Sequence, residues 1–254
     1  MANYRLTMRG STIRRTMAMF WSLLVVAGAT LLLIVWGNMS AHRAAYRFRM
    51  TLEVDTPNGL VSRSSVYEVT ARYRADLQPG GQKREWSVRG EAIAASLSDR
   101  RTLFALLRTN AIHEDLAGLS MTALDPAFRN DVVESAGRIA RTDGVRSSAV
   151  VERALYPMLV TFRDPEDPCS VEEVDPDDLA RTFGPGTRLR RITVALTDDL
   201  LSDDLSRRLG PTFWRRWGTA FAEGSRHGSA VTNPFFDTLF ARLSRSDFIN
   251  KATD

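Results

Sequence analysis

The chain has 254 residues, of which 44% are hydrophobic and 25% charged, so it is long enough for one sizeable domain and too apolar to be wholly disordered. Its formal net charge is +4, but acidic runs interrupt the basic ones and no nucleic-acid-binding module is visible, so nucleic acid is not an expected partner. The single cysteine, Cys169, cannot form an intramolecular disulfide and leaves the redox compartment open.

The first predicted element is a membrane span. Between Met17 and Trp36 twenty consecutive residues carry no charge. A helix of this length spans about 30 Å, the thickness of the hydrocarbon core of a bilayer. Trp21 and Trp36 lie near its two ends, where indole rings favour the interface. The pattern predicts a single transmembrane helix over residues 17–37, preceded by a basic cytoplasmic leader over residues 1–16.

A cleaved signal peptide is the alternative interpretation of this segment. The leader is basic, as a signal requires, but the apolar stretch exceeds the usual length of about 7–15 residues. A cut after Ala41 would place Met39 where a small residue is needed, and Arg14-Arg15 matches a twin-arginine signal only loosely. An uncleaved anchor is therefore favoured. The positive-inside tendency then places the rest of the chain outside the cytoplasm.

The region after the span opens with a strand pattern. Apolar and polar residues alternate from Tyr46 to Asp55, which predicts a half-buried strand. Turn-forming residues follow up to Gly59, and a second strand over residues 66–73 completes a predicted hairpin. Further strands are predicted over residues 86–97, 156–162 and 189–196, whereas residues 101–108 fit either a strand or a short helix.

Two helices are predicted within this region. Asp125-Pro126 indicates a helix start in an otherwise loop-rich stretch over residues 110–146. Farther along, Asp175 fits an N-cap, Pro176 a first helical position and Gly184 a C-terminal stop. We predict an α+β fold, with a β-rich antiparallel domain over residues 44–200.

The C-terminal region, residues 203–254, differs in character. Two short amphipathic helices are predicted, beginning at Pro211 and near Asn233. The residues on their aromatic faces and arginine flanks are candidates for partner or membrane contact: Phe213, Trp214, Arg215, Arg216, Trp217, Phe221, Phe236 and Phe240. The pattern leaves open whether they pack on the domain itself, on a bilayer or on a partner.

Signals of catalysis are weak. His113, Glu114 and Asp115 form the one compact group of titratable residues, but adjacent residues project in different directions, so they are weak catalytic candidates. Eight carboxylates between Asp164 and Asp178 do not form a calcium-loop pattern, and helix caps and turns account for most of them. Carboxylates beside Cys169 should raise the pKa of its thiol. We expect no metal and no cofactor, and an enzyme is less expected than a binding protein.

The block from Tyr156 to Asp199 resembles bacterial single-pass membrane-anchored proteins without an assigned function. The resemblance extends over residues 45–200, carries no catalytic residue across and leaves the C-terminal helices outside. Together with the predicted anchor and its orientation, the resemblance implies a bacterial inner-membrane location with the main domain in the periplasm. The expected function is that of an accessory subunit or assembly factor, which would contact the bilayer and an integral-membrane or envelope protein. The alternatives are an anchored periplasmic enzyme or small-ligand binder using carboxylates and His113, and a peripheral lipid-interacting protein.

Overall fold

The computed structural model describes residues 28–30, 43–75, 82–97, 101–109, 115–226 and 233–251. The chain divides into two compact units, Met1–Arg43 and Ala44–Asp254. In the first unit residues 28–30 are helical, and the rest of the predicted span, with Trp21 and Trp36, lies outside the described residues. Within the described ranges no helix is both long and apolar enough to cross a bilayer.

The second unit is an α+β fold with antiparallel sheets, which confirms the predicted class. One sheet has six strands in the order β10-β3-β2-β1-β9-β6, and the other has four in the order β4-β5-β7-β8. The strands are β1 (Arg43–Thr56), β2 (Gly59–Ala75), β3 (Gln82–Glu91), β4 (Ile93–Ser96), β5 (Thr102–Thr109), β6 (Ser148–Val150), β7 (Pro157–Phe162), β8 (Val171–Glu173), β9 (Arg188–Leu196) and β10 (Ile249–Asn250). Residues 101–108 thus resolve as a strand.

The predicted hairpin is confirmed in β1 and β2. The alternating apolar residues of β1, from Tyr46 to Val54, are all buried, whereas the residues between them are not. A two-residue turn at Pro57 and Asn58 joins the strands, and Gly59 after it has φ +113°, a conformation that glycine adopts without strain. The periodicity of β1 therefore fixes which face of the six-stranded sheet is buried.

The two sheets are joined where β3 gives way to β4 at Ala92. The backbone N–H of Ala92 donates to the carbonyl of Phe248 at 2.8 Å, outside both ladders. The chain thus leaves the six-stranded sheet and enters the four-stranded one within a single residue. All six residues of β7 are buried, as expected for a strand covered on both faces.

Helices α1 (Leu116–Leu124) and α2 (Val132–Ala140) lie on the buried face of the six-stranded sheet. The hydroxyls of Tyr46 and Ser120 are 2.7 Å apart, and the Tyr73 hydroxyl donates to Asp131 at 2.9 Å. Helix α1 falls in the stretch predicted to be loop-rich. The predicted helix start at Asp125 was wrong, because Asp131 accepts the first N–H groups of α2.

Helix α3 (Leu179–Phe183) ends at Gly184 with φ +98°, as predicted. Its N-cap is Asp178, whose carboxylate accepts the backbone N–H of Arg181 at 3.2 Å. The prediction of Asp175 as the N-cap was therefore wrong. Asp175 instead accepts the N–H of Asp177 at 2.9 Å, which closes the turn before the helix.

The C-terminal region begins with α4 (Asp204–Arg208), which contacts the end of β3. It continues with α5 (Pro211–Gly224), α6 (Leu239–Arg242) and α7 (Arg245–Phe248), which pack on the four-stranded sheet. Pro211 is the first residue of α5, as predicted. The Phe213 ring lies 5.4 Å from that of Phe162 in β7, and the Phe248 ring 6.0 Å from that of Phe104 in β5. The C-terminal helices and both sheets therefore share one hydrophobic core.

Candidate binding surface

The polar sides of β1 and β9 form a charged face opposite the core. Their register places Thr51 against Thr193, Glu53 against Arg191 and Asp55 against Arg188, and paired residues project from the same face of a sheet. On the other side of β9, Val150 of β6 pairs with Thr193. An uncharged row of Val150, Thr193 and Thr51 thus runs across three neighbouring strands. We call this part of the sheet the β6–β9–β1 face.

A connecting segment, residues 197–203, crosses the charged side of the sheet and bounds the β6–β9–β1 face. Asp199 forms an ion pair with Arg49, and the hydroxyl of Ser202 accepts the N–H of Val66 at 3.0 Å. Helix α4 follows, and the N–H of Leu205 donates to Glu91 at 2.7 Å. These contacts carry the segment from β9 past β1 and β2 to β3. The end of the β2–β3 hairpin lies on its other side.

Three of the four exposed large hydrophobic side chains in the described part of the chain border this face: Leu60, Val150 and Leu200. Leu60 precedes Val61, which packs on the core, so alternation directs Leu60 to the open side. Val150 is 60% exposed within the uncharged row, and Leu200, at 82%, follows the anchored Asp199. Apolar side chains grouped on one polar face are typical of a contact surface.

The charges on the face are layered. The carboxylates of Glu53 and Asp55 are 15% and 18% exposed, whereas Arg188, Arg190 and Arg191 above them are 46–78% exposed. Arg188 Nε lies 2.8 Å and Arg190 Nη2 2.6 Å from Asp55, and Arg191 Nε lies 2.9 Å from Glu53. Guanidinium groups are therefore the outermost charges, held in place by carboxylates beneath them.

These contacts also set the protonation of Asp55. Hydrogen bonds from Arg190 and then from Arg188 lower the pKa of its carboxyl group below the usual range, while burial acts in the opposite direction. The same contact raises the pKa of Arg190. The carboxylate thus stays ionised and the arginine pair stays ordered at neutral pH.

Of the predicted catalytic group, Asp115 is the one member within the described residues. His113 and Glu114 lie outside the described residues. Asp115 caps α1 by accepting the N–H groups of Ala117 and Gly118 at 2.9 and 3.2 Å, and it accepts the Trp86 indole N–H at 2.7 Å. These three hydrogen bonds account for its carboxylate without a catalytic role.

Carboxylates in the acidic stretch from Asp164 to Asp178 accept hydrogen bonds from nearby backbone N–H groups or form ion pairs. Asp164 accepts the N–H of Glu166 at 2.9 Å and Asp167 that of Cys169 at 2.9 Å, while Asp177 pairs with Arg153 at 2.7 Å. Burial and then the neighbouring Asp167 raise the pKa of the Cys169 thiol, as predicted. In the ranges that the structure describes, no group of three His, Cys, Asp or Glu residues could hold a metal ion.

The aromatic residues of the C-terminal helices are divided between core and surface. Phe213, Trp217 and Phe240 are buried, whereas Trp214, Phe221 and Phe236 are half-buried. Arg215 and Arg216 are exposed, and Arg216 pairs with Glu166 at 2.9 Å. Of the three arrangements that the sequence left open, packing on the domain itself is the one that the buried residues adopt.

No known protein family, curated protein or solved structure matches this chain. The resemblance of residues 156–199 to membrane-anchored proteins therefore stays a prediction. The β6–β9–β1 face was missed by sequence reasoning. The polar residues that alternate with the apolar ones in β1 were the one sign of this face in the sequence. Only the pairing of β1 with β9 brings Arg188, Arg190 and Arg191 above the acidic residues of β1.

Proposed function

We propose that this chain is a membrane-anchored accessory protein of the bacterial periplasm, which binds the acidic surface of an envelope protein through its β6–β9–β1 face. One observation carries the proposal: Leu60, Val150 and Leu200 border a single sheet face whose outermost charges are arginines. Interfaces combine exposed apolar side chains with polar and charged ones, and arginine is enriched in them.

The layered charges support an acidic partner. Arg188, Arg190 and Arg191 are held by Asp55 and Glu53 before any partner binds. Ordering these side chains in advance reduces the conformational entropy lost on binding. Their planar guanidinium groups also match the geometry of a carboxylate. A surface that carries aspartates or glutamates beside apolar side chains would complement both features.

The size of the face supports a contact made at the membrane. Three strand spacings from β6 to β2 and the seven residues from Arg49 to Asp55 give about 15 by 20 Å, roughly 300 Å². That is less than half of the roughly 800 Å² that one partner contributes to a standard interface. A small interface suffices if both proteins are anchored in one membrane, because the anchors raise their effective concentration.

The experiment is co-purification of the full chain after mild detergent extraction. We expect Val150→Asp and Arg188→Glu each to reduce recovery of the partner at least tenfold. Asp55 keeps Arg190 as its ion-pair partner in Arg188→Glu, so the fold should survive. Thr219→Asp and Arg215→Glu, exposed positions on α5, are the matched controls.

Recovery of the wild-type chain only as a lone monomer would contradict the proposal. A loss of the partner with Arg215→Glu but not with Arg188→Glu would place the contact on the C-terminal helices instead. Circular dichroism and urea unfolding of each variant separate loss of binding from loss of folding.

A further inference from the structure

The end of the β2–β3 hairpin carries an unfavourable pair of charges. Arg74 lies directly opposite Lys83, on the other side of the connecting segment from the β6–β9–β1 face. Like charges placed directly opposite each other on neighbouring strands destabilise a sheet. A pair that destabilises the sheet without being needed for folding is a sign that these residues serve a function.

The cations at this end outnumber the carboxylates. Arg72 lies 2.7 Å and Arg74 4.0 Å from Glu85, while Arg84 lies 3.4 Å from Asp131. Arg74 is 69% exposed, and Lys83 is exposed and makes no ion pair with any residue that the structure describes. We call Arg72, Arg74, Lys83 and Arg84 the hairpin-end cluster. Glu85 pairs with Arg72 and Arg74 on the charged face, and Asp131 pairs with Arg84 on the face covered by α2. The cluster therefore spans both faces of the hairpin end and, with four cations and two carboxylates, keeps a net positive charge.

The position of the hairpin-end cluster in the domain indicates which binding partner it can reach. In the antiparallel order of the sheet, the end of β2 and the start of β3 lie at the same end as the start of β1. β2 has 17 residues and β1 has 14, so β2 extends about 10 Å beyond the start of β1. The cluster is thus at the end of the domain where the preceding chain joins it.

The length of that preceding chain limits the distance to the membrane. The predicted span ends at residue 37 and β1 begins at Arg43. Six residues reach at most about 20 Å when fully extended. The extension of β2 shortens the remaining distance further. Trp86, which projects from the opposite face of β3 and donates its indole N–H to Asp115, is also partly exposed, and indole rings favour the membrane interface.

We propose that Arg72, Arg74, Lys83 and Arg84 bind the phosphate groups of anionic phospholipids in the membrane from which the chain emerges. The inference rests on the anchor of the proposed function and adds a lipid class to it. An acidic protein is less suited, because the cluster lies where the chain leaves the bilayer. Each Lys or Arg close to an anionic membrane strengthens the attraction about fivefold. The contact would hold the domain upright and keep the β6–β9–β1 face accessible.

The test uses the full chain in lipid nanodiscs, with Cys169→Ser removing the native thiol. A donor fluorophore is placed on Gln82→Cys beside the cluster, or on Asn58→Cys at the far end of β1 and β2. The acceptor is carried by a lipid headgroup. We expect energy transfer from position 82 to exceed that from position 58, to rise when phosphatidylglycerol replaces phosphatidylcholine, and to fall as salt is added.

Charge variants identify the residues responsible. The triple variant Arg74→Gln, Lys83→Gln, Arg84→Gln should lower transfer in phosphatidylglycerol to the phosphatidylcholine level. A matched triple with the same change in net charge, Arg63→Gln, Arg181→Gln, Arg215→Gln, uses exposed arginines elsewhere and should leave transfer unchanged.

Each other outcome overturns the proposal in a recognisable way. Equal energy transfer in both lipids and in both triple variants would mean that the tether alone sets the distance between the domain and the membrane. That result would be compatible with the anchor and would contradict the lipid contact. Transfer that depends on charge only after an acidic envelope protein is added would assign the cluster to that protein. A chain that does not enter the nanodisc would contradict the anchor, and the lipid contact with it.

Discussion

Lys251 and Glu91 form an ion pair that ties the end of the chain to the sheet. Lys251 Nζ lies 2.7 Å from Oε1 of Glu91, whose side chain is 1% exposed. Glu91 also accepts the N–H groups of Leu205 at 2.7 Å and Ser206 at 3.3 Å. One carboxylate thus joins β3, the start of α4 and the C-terminal residues.

Replacing Glu91 should therefore destabilise the whole domain. We expect Glu91→Ala to lower the free energy of unfolding by about 3 kcal/mol, because it leaves buried N–H groups without an acceptor. Lys251→Ala should cost about 1 kcal/mol, since Lys251 is partly exposed and Glu91 keeps its backbone donors. Urea unfolding measures both. Equal costs for the two variants would contradict the assigned role of the carboxylate.

The C-terminal aromatic residues give a second prediction. Trp217 is buried against Phe240, with ring centroids 4.6 Å apart, and also contacts Phe248 at 5.7 Å. Trp217→Ala should lower the free energy of unfolding by about 3–5 kcal/mol, as for a large core side chain. Urea unfolding, followed by a signal from the whole domain, tests this prediction. If α5 were only loosely attached, it would unfold in a separate transition and Trp217→Ala would leave the main transition unchanged.

Trp214 is the matched control for Trp217. Its indole nitrogen is buried without a hydrogen-bond partner in the described structure. Trp214→Phe removes that unsatisfied group and should change stability by less than about 1 kcal/mol. A cost for Trp214→Phe as large as that for Trp217→Ala would show that the indole N–H is satisfied after all.

Stability should fall at acid pH in part through Asp125. Burial would raise the pKa of this carboxyl group, but hydrogen bonds from Arg138 and Ser135 outweigh it and lower the pKa. A carboxylate with a lowered pKa stabilises the fold above its unfolded pKa, about 3.9, and the stabilisation is lost as the pH falls through the folded pKa.

Asp125→Asn isolates this contribution. The variant should be less stable than the wild type at pH 7 by about 2 kcal/mol, because its amide replaces a charge-assisted partner of Arg138. Its unfolding free energy should also decline less steeply below pH 4. Parallel acid profiles for the two proteins would refute the assignment.

Gly90 allows β3 to pass close to Tyr67. A Cβ atom at this position would lie 2.6 Å from Cδ1 of the Tyr67 ring, and the backbone φ of +152° disfavours other residues. Gly90→Ala should lower the midpoint of thermal unfolding by at least 10 °C, which corresponds to about 3 kcal/mol. Gly210→Ala, where no atom lies within 4 Å of the added carbon, should shift it by less than about 3 °C. Similar shifts for both would contradict the close packing.

Local patterns predicted β1 best, whereas the single strand predicted over residues 86–97 was wrong, because the chain changes sheets at Ala92 and divides that stretch between β3 and β4. The polar and apolar alternation of β1 is a property of ten consecutive residues, and it predicted the buried positions from Tyr46 to Val54. Gly184 likewise marked the end of α3 because its positive φ is a local requirement. Helix α1 gave no such signal. Seven of its nine residues are buried, including Ala117 and Ser120, so it lacks the polar side that makes a helix recognisable.

The β6–β9–β1 face depends on contacts between distant parts of the chain. Arg191 meets Glu53 across 138 residues, and Ser202 meets Val66 across 136. No local pattern specifies such pairs. For the aromatic residues near the C-terminus a local pattern exists, but it fits two arrangements. Amphipathic helices that pack on their own domain and those that bind a partner have the same periodicity.

The most direct test of the proposed interface is photo-crosslinking from position 150 of the full chain in its native membrane. A photoreactive residue in place of Val150 should give one defined adduct with an envelope protein, and Arg188→Glu in the same chain should abolish it. The same residue in place of Thr219 on α5 should give none. An adduct from position 219 but not from 150, or one from 150 that persists in Arg188→Glu, would contradict partner binding through the β6–β9–β1 face.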